Sequence, residues 1–225
     1  VDKTNYMESI GWKLIHIFED EWWNKRNIVE SRLLSAIGCL KRKIYGRCCD
    51  VREIDSKMSK KFLDVNHLQG DVKSKIRLGL FFKEELVGVM TFGKPRFNKK
   101  FDYELLRYAS LCGTQVIGGA GKLLKYFERT RNPSSVISYA DRRWSNGGLY
   151  KSLGFSFVEN TTPNYFYVLN NKRYNRVMFQ KHKLKDVLKN FDQSKTEKEN
   201  MFANGYRIMY DSGNMVFSKR YNLTI

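Results

Sequence analysis

The stretch from residue 76 to residue 130 constrains the fold most. Ile76–Phe82 and Leu86–Phe92 are short apolar runs joined by Lys83-Glu84-Glu85, the pattern of a β-hairpin. Tyr103–Leu111 reads as a further strand. Gly118-Gly119-Ala120-Gly121 then opens a helix through Lys122–Thr130. Val136–Ala140 returns as a strand, and Gly148–Leu153 is a short helix closed by Gly154. Phe155–Val158 and Tyr165–Leu169 read as two more strands. Strands interleaved with helices indicate an α/β (α+β) layer fold with a mixed sheet.

Upstream, Trp12–Phe18 (WKLIHIF) reads as a buried strand. A helix follows with Ile28, Leu33, Leu34 and Ile37 on one face, stopped by Gly38. Residues 39–46 read as a basic linker and Cys49–Ile54 as a strand. Asp55-Ser56 starts a helix through Phe62 and Leu63, ended by Asn66-His67-Leu68-Gln69-Gly70. After residue 170 the pattern changes. Residues 170–191 read as a basic helical segment, and residues 205–221 as a hairpin turning at Asp211-Ser212-Gly213-Asn214.

Charge narrows the partner. The chain of 225 residues carries 41 Lys and Arg against 23 Asp and Glu, a net charge of +18. Residues 1–40 hold 5 basic and 6 acidic side chains, residues 41–169 hold 24 and 12, and residues 170–225 hold 12 and 5. A basic excess of this size, interleaved with Tyr and Phe, suits a polyanion, and double-stranded DNA is the expected partner. Candidate DNA contacts are Lys94, Arg96, Lys99 and Lys100 in one loop, Arg142 and Arg143, and Lys172, Arg173, Arg176, Lys181 and Lys183. A solvated charged face is the plainer reading of the last group. No apolar stretch is long enough to span a membrane, and no membrane partner is expected. Four cysteines, two of them adjacent, fit neither a disulfide scaffold nor a zinc site, and a reducing cytoplasm is the expected compartment.

Three places carry candidate chemistry. Small residues at Gly118, Gly119, Ala120 and Gly121, after Gln115, let backbone N–H groups approach a pyrophosphate at a helix N-terminus. A plain turn explains the same glycines. His67, in a polar loop after a helix, is either a substrate contact and proton carrier or a helix C-cap. Glu19-Asp20-Glu21 is either an acidic metal-binding cluster or a helix start capped by Asp20. No metal ligand set is assigned within the chain.

Gln115, Gly118 and Ala120, followed by Tyr150, Gly154 and Phe155, resemble the GNAT (Gcn5-related N-acetyltransferase) pattern over residues 47–169. The resemblance implies a GNAT-like mixed sheet, a pyrophosphate loop at Gln115–Gly121, and Tyr150 as the acid that protonates the CoA thiolate. Gly11–Trp22 resembles the last core strand of very-short-patch-repair (Vsr-like) endonucleases and of EDxHD phage homing endonucleases. It implies that residues 1–38 are the tail of a nuclease domain, with Glu19 and Asp20 as candidate catalytic acids, an upstream core and Mg2+ in the full-length nuclease. Asn66–Gly70, Met90–Arg96 and Tyr206–Asn214 look like recurrent pieces of phage proteins of the Mom family of DNA-modification proteins.

The main expectation is therefore a phage protein acting in the cytoplasm of an infected host. It would be the DNA-binding region of a homing endonuclease, with residues 170–225 as a basic DNA-binding extension, unable to cut DNA alone. A CoA-dependent GNAT acyltransferase modifying nucleic acid, using acetyl-CoA, is the alternative. A stand-alone nucleic-acid-binding module is a further one.

Overall fold

The computed structural model describes residues 2–221. Three helices come first: α1 (Asp2–Ser9), α2 (Glu19–Asn24) and α3 (Arg26–Ala36). Then follow β1 (Arg42–Tyr45), β2 (Asp50–Glu53), α4 (Ser56–Asn66), β3 (Ile76–Phe82), β4 (Glu85–Gly93) and β5 (Tyr103–Ser110). The chain continues through β6 (Thr114–Ile117), α5 (Gly119–Arg131), β7 (Ser135–Asp141), α6 (Gly148–Ser152) and β8 (Ser156–Asn160). It closes with β9 (Tyr165–Leu169), β10 (Lys172–Asn175), α7 (Leu184–Val187), α8 (Glu197–Ala203), β11 (Arg207–Tyr210) and β12 (Asn214–Arg220).

Seven strands form one mixed sheet in the order β2-β3-β4-β5-β7-β12-β8. Every neighbouring pair is antiparallel except β5 and β7. The fold is thus the mixed α/β class expected from the sequence. Helix α5 connects the parallel pair, as such a connection requires. Its Leu123, Leu124 and Phe127 are buried with Met90, Phe92 and Leu105 of the sheet, and Phe127 stacks on Phe92 at 3.7 Å. Helix α4 covers other positions of the same strands, its Phe62 and Leu63 packing with Val89 and Ala109. Asp55 caps it by accepting from the Met58 N–H at 2.7 Å.

Two features position the site. First, β5 and β7 pair only over Tyr103–Leu105 against Val136–Ser138. Beyond that point β5 stays paired with β4 as far as Ser110, and β7 with β12 as far as Asp141. The sheet therefore splits between them. Second, residues 161–213 leave the sheet between β8 and β12 and build a separate lobe. Its sheet runs β10-β9-β11, and its core holds Tyr167, Phe179, Leu184, Leu188 and Met201.

The local expectations need correction in four places. Residues 12–18 contain no strand and run as irregular chain between α1 and α2. Part of the basic linker is a strand, with β1 pairing in parallel to β6. The segment after residue 170 is strand β10, 3-10 turns and a one-turn helix, not a continuous helix. Asp211–Asn214 is no hairpin turn, because β11 pairs with β9 in the lobe and β12 with β7 and β8 in the main sheet.

Candidate active site

The split between β5 and β7 opens into a cavity of about 150 Å3. Leu105–Tyr108 form one wall and Tyr139–Asp141 the other. Trp144 and Tyr150 line it from the β7–α6 segment, His67 from the end of α4, and Arg32 from α3.

Tyr150 is set by a glycine turn and an aromatic stack. Gly147 has φ +80°, and a Cβ there would lie 2.6 Å from Phe217 Cζ, so this position takes no side chain. Tyr150 stacks on Phe217 at 4.7 Å and meets Phe155 edge-on at 5.8 Å. Its hydroxyl lies 3.0 Å from Ser138 Oγ, which in turn lies 2.9 Å from the Leu105 carbonyl oxygen. The carbonyl can only accept, so the Ser138 proton goes there and Ser138 Oγ is left to accept from Tyr150. Burial pushes the Tyr150 pKa up, so the phenol holds its proton at neutral pH.

His67 takes the C-cap position that its sequence allowed, and it also faces the cavity. It is the C-cap of α4, and its ring lines the cavity. Nδ1 accepts from the Gln69 N–H at 3.1 Å, so a neutral ring carries its proton on Nε2. Burial, reinforced by Arg107, Arg32 and Lys25, lowers its pKa to about 3. At neutral pH His67 donates a hydrogen bond and takes up no proton.

Asp141 is the carboxylate in the wall. It is held by Arg143, whose Nη2 lies 2.7 Å away, and Arg143 continues to Glu21 at 2.9 Å. Arg173 of the lobe also reaches Glu21, at 3.1 Å. Burial disfavours the Glu21 carboxylate, but hydrogen bonds and charge from Arg143 and Arg173 outweigh it and hold its pKa below the usual range. The acidic cluster near residue 20 is therefore an anchor. Asp20 does not cap α2, whose N-cap is Phe18; it pairs with Arg173 at 3.2 Å, and Glu19 is exposed. No group of three or more His, Cys, Asp or Glu able to hold a metal exists among the described residues.

The glycine run divides by role. Gly118 is exposed, has φ +74°, and N-caps α5 without a side-chain cap. Gln115 is exposed on β6 and Gly121 is open apart from Leu153, 3.8 Å from its would-be Cβ. Leu153 follows α6, so the α5 N-terminus adjoins the helix that carries Tyr150. Gly119 and Ala120 are buried packing positions. A Cβ on Gly119 would meet Val116 at 2.7 Å and Leu80 at 2.9 Å.

Four expected DNA contacts are occupied within the fold. Arg96 forks onto buried Glu104 at 2.6 and 2.9 Å. Arg142 is 5% exposed and pairs with Glu8 at 2.6 Å, while Arg143 is 4% exposed. Arg173 stacks between Phe18 and Phe166. Arg142 and Arg143 are thus buried and Arg173 half-buried, while Arg96 is exposed with its guanidinium engaged by Glu104. Lys94, Lys99, Lys100, Lys172, Arg176, Lys181 and Lys183 are exposed, although Lys99 donates to the Pro95 carbonyl. The sequence reading missed Arg32, Arg107, Ser138 and Trp144, and named Asp141 without a role. The only signal available was the placement of Asp141 and Trp144 beside the Gly147 turn.

No helix among the described residues is long and apolar enough to cross a membrane. Solved structures similar to this chain include the yncA protein of Salmonella typhimurium with its cofactor acetyl-CoA, at 12% identity and TM-score 0.46, covering 79% of this chain and 97% of that one. A histone acetyltransferase HPA2-related protein of Corynebacterium glutamicum matches at 13% and 0.46, covering 79% and 99%. Naa50 of Arabidopsis thaliana in complex with a bisubstrate analogue matches at 10% and 0.42, covering 77% and 99%. No curated protein sequence matches the chain. The model of the Mom protein family matches residues 49–212, a span that takes in the split, Tyr150 and nearly all of the lobe. That match overturns the reading of the chain as a DNA-binding region of a homing endonuclease: the part expected to position a nuclease is itself the family's matched span. The chain belongs to the Mom protein family.

Proposed function

We propose that the chain is a CoA-dependent acyltransferase that modifies nucleic acid, with double-stranded DNA as the acceptor. The observation that carries the reading is the junction of two features in a Mom-family chain. An uncapped helix N-terminus at Gly118 adjoins, through Gly121 and Leu153, the helix that aims Tyr150 at the split.

The residues present fit the cofactor. Gln115, Gly118 and Gly121 are the exposed or open members of the loop, and N–H groups of an uncapped first turn suit a pyrophosphate. CoA, when bound, supplies an acyl group on a thioester. Tyr150 holds a proton at Oη that it can give to a leaving thiolate, with Ser138 keeping the hydroxyl oriented. His67 Nε2–H is a fixed neutral donor in the same wall. Asp141, its charge shared with Arg143, is the carboxylate nearest to hand for an incoming amine.

The acceptor reading rests on charge. Lys94, Lys100, Lys172, Arg176, Lys181 and Lys183 are exposed, and none has an ion pair among the described residues. Phosphate contacts of this kind position a duplex without reading its sequence.

A thermal-shift titration with acetyl-CoA tests the cofactor half. At one hundred times its dissociation constant a ligand stabilises by about 2.7 kcal/mol, which is readily seen. Gly118→Asp, which sets a carboxylate against the helix N-terminus, abolishes the shift. A wild-type chain that shows no shift refutes CoA use.

A further inference from the structure

The cavity at the split contains more unmet donors than any neutral occupant explains. Arg32 Nε and Trp144 Nε1 are buried with no hydrogen-bond partner, and both residues line this same space. The Arg32 guanidinium lies over the Trp144 ring, 4.8 Å from its centroid. Arg107 enters from the β5 wall. Its Nε donates to the Gly70 carbonyl at 3.0 Å and its Nη1 to the Leu106 carbonyl at 2.8 Å, which fixes the guanidinium and leaves Nη2 free of any such bond among the described residues. His67 adds a neutral ring to the wall.

Carboxylates lie near these groups, Asp141 toward Arg32 and Asp71 and Glu104 toward Arg107, but none is in direct contact with them. Among the described residues neither Arg32 nor Arg107 takes part in an ion pair. Asp141, the acid in the wall, has its oxygens on Arg143. Burial lowers the pKa of both arginines, that of Arg107 to about 10, and a guanidinium keeps its charge in proteins. Two half-buried guanidinium groups, one with its Nε buried and unpartnered, and the buried orphan N–H of Trp144 facing one space are costly in a protein that must fold without their partner. Elsewhere this chain pairs its buried arginines, as Arg142 and Arg143 show. The exception therefore points to a ligand.

We infer that Arg32, Arg107 and Trp144 form an oxyanion site at the split, which receives a carboxylate or phosphate group of the substrate. Guanidinium groups bind both oxyanions through paired N–H donors. The Trp144 N–H adds a third direction, and the stacked ring holds Arg32 in place. A carboxylate would come from a small acidic acyl or amino-acid-like group carried into the reaction. A phosphate would come from the nucleic acid or the cofactor. The inference deepens the transferase reading by naming the charge of what enters the split, and anion binding itself does not depend on CoA.

Isothermal calorimetry on the full chain tests it, with sodium malonate and inorganic phosphate as separate probes at 0.2 M salt. One probe binds saturably at one site per chain. Arg32→Met and Arg107→Met each weaken it about tenfold or more, and Arg32→Lys recovers part of the loss. Trp144→Phe keeps an aromatic face while removing the indole N–H, and weakens binding less, so it reads the site even if an arginine variant fails to fold. Tighter malonate binding assigns the carboxylate source, and tighter phosphate binding the phosphate source. No saturable binding of either probe by the wild-type chain overturns the inference, as does binding that Arg32→Met, Arg107→Met and Trp144→Phe all leave unchanged. The acetyl-CoA shift is read separately. A shift without anion binding refutes only this site, and anion binding without a shift refutes only the transferase reading.

Discussion

Ser138 Oγ lies 3.0 Å from Tyr150 Oη, at the last residue where β5 and β7 are still paired. The hydroxyl pair thus sits at the apex of the split, where the sheet itself holds Ser138 and the Gly147 turn holds Tyr150. Tyr150→Phe removes the proton and keeps the stack on Phe217. Transfer should fall about a hundredfold or more, with KM for the acyl donor unchanged. Stability should fall by only about 0.5–1.5 kcal/mol, because Ser138 keeps its bond to Leu105. Rates and urea melts on the same preparations check both halves.

Glu21 ties α2 to the β7–α6 segment through Arg143 and to the lobe through Arg173. Glu21→Gln removes the buried carboxylate shared by the two arginines, which keep Asp141 and Asp20 as partners, and should cost about 2–3 kcal/mol, short of the range for a pair broken outright. Chemical denaturation measures it. An effect below 1 kcal/mol would mean that residues 1–38 are a loosely attached tail.

His67 makes stability depend on pH in a defined direction. Its ring takes a proton near pH 6.5 when unfolded, and only near 3 when folded. Between those values the unfolded chain binds more protons, so stability falls as pH drops below about 6.5. Urea midpoints from pH 8 to pH 5 should decline in the wild type and decline less in His67→Gln. The rate of transfer should show no inflection near pH 6.5 from this residue.

The basic residues separate into two groups by experiment. Changing Lys172, Arg176, Lys181 and Lys183 to Ala should weaken duplex binding for all sequences alike. It should also flatten the dependence of log K on log salt by up to about three to four units. Arg96→Met strands the buried carboxylate of Glu104 and should cost on the order of 2 kcal/mol of stability while leaving the salt slope in place. Fluorescence anisotropy against salt distinguishes them.

What could be read from the sequence was local. Asp55 as a cap, the hairpin across Lys83-Glu84 and the glycine entry to α5 are short-range signals, and the structure carries all three. Tyr150 was named through the GNAT resemblance that it carries with Gly154 and Phe155. The lobe was not legible, because β11 pairs with β9 some forty residues away and β12 returns to a different sheet. Trp12–Phe18 misled because an apolar run need not be a buried strand: Trp12 and Ile17 are exposed here and only Phe18 is buried. Charge misled in both directions. Counting cations cannot tell Arg142 and Arg143, closed by Glu8 and Glu21, from Arg32 and Arg107, which line a cavity and form no ion pair among the described residues.

The most direct test is transfer itself. Duplex DNA is incubated with the chain and isotopically labelled acetyl-CoA, then digested to nucleosides and analysed by mass spectrometry. Malonyl-CoA is run in parallel, because an acidic acyl group is one of the two oxyanion sources inferred for the split. The account predicts a labelled acyl group on a nucleobase, formed by the wild-type chain, reduced about a hundredfold in Tyr150→Phe and absent in Gly118→Asp. Unlabelled nucleosides from a folded, DNA-binding wild-type chain with both donors would contradict it.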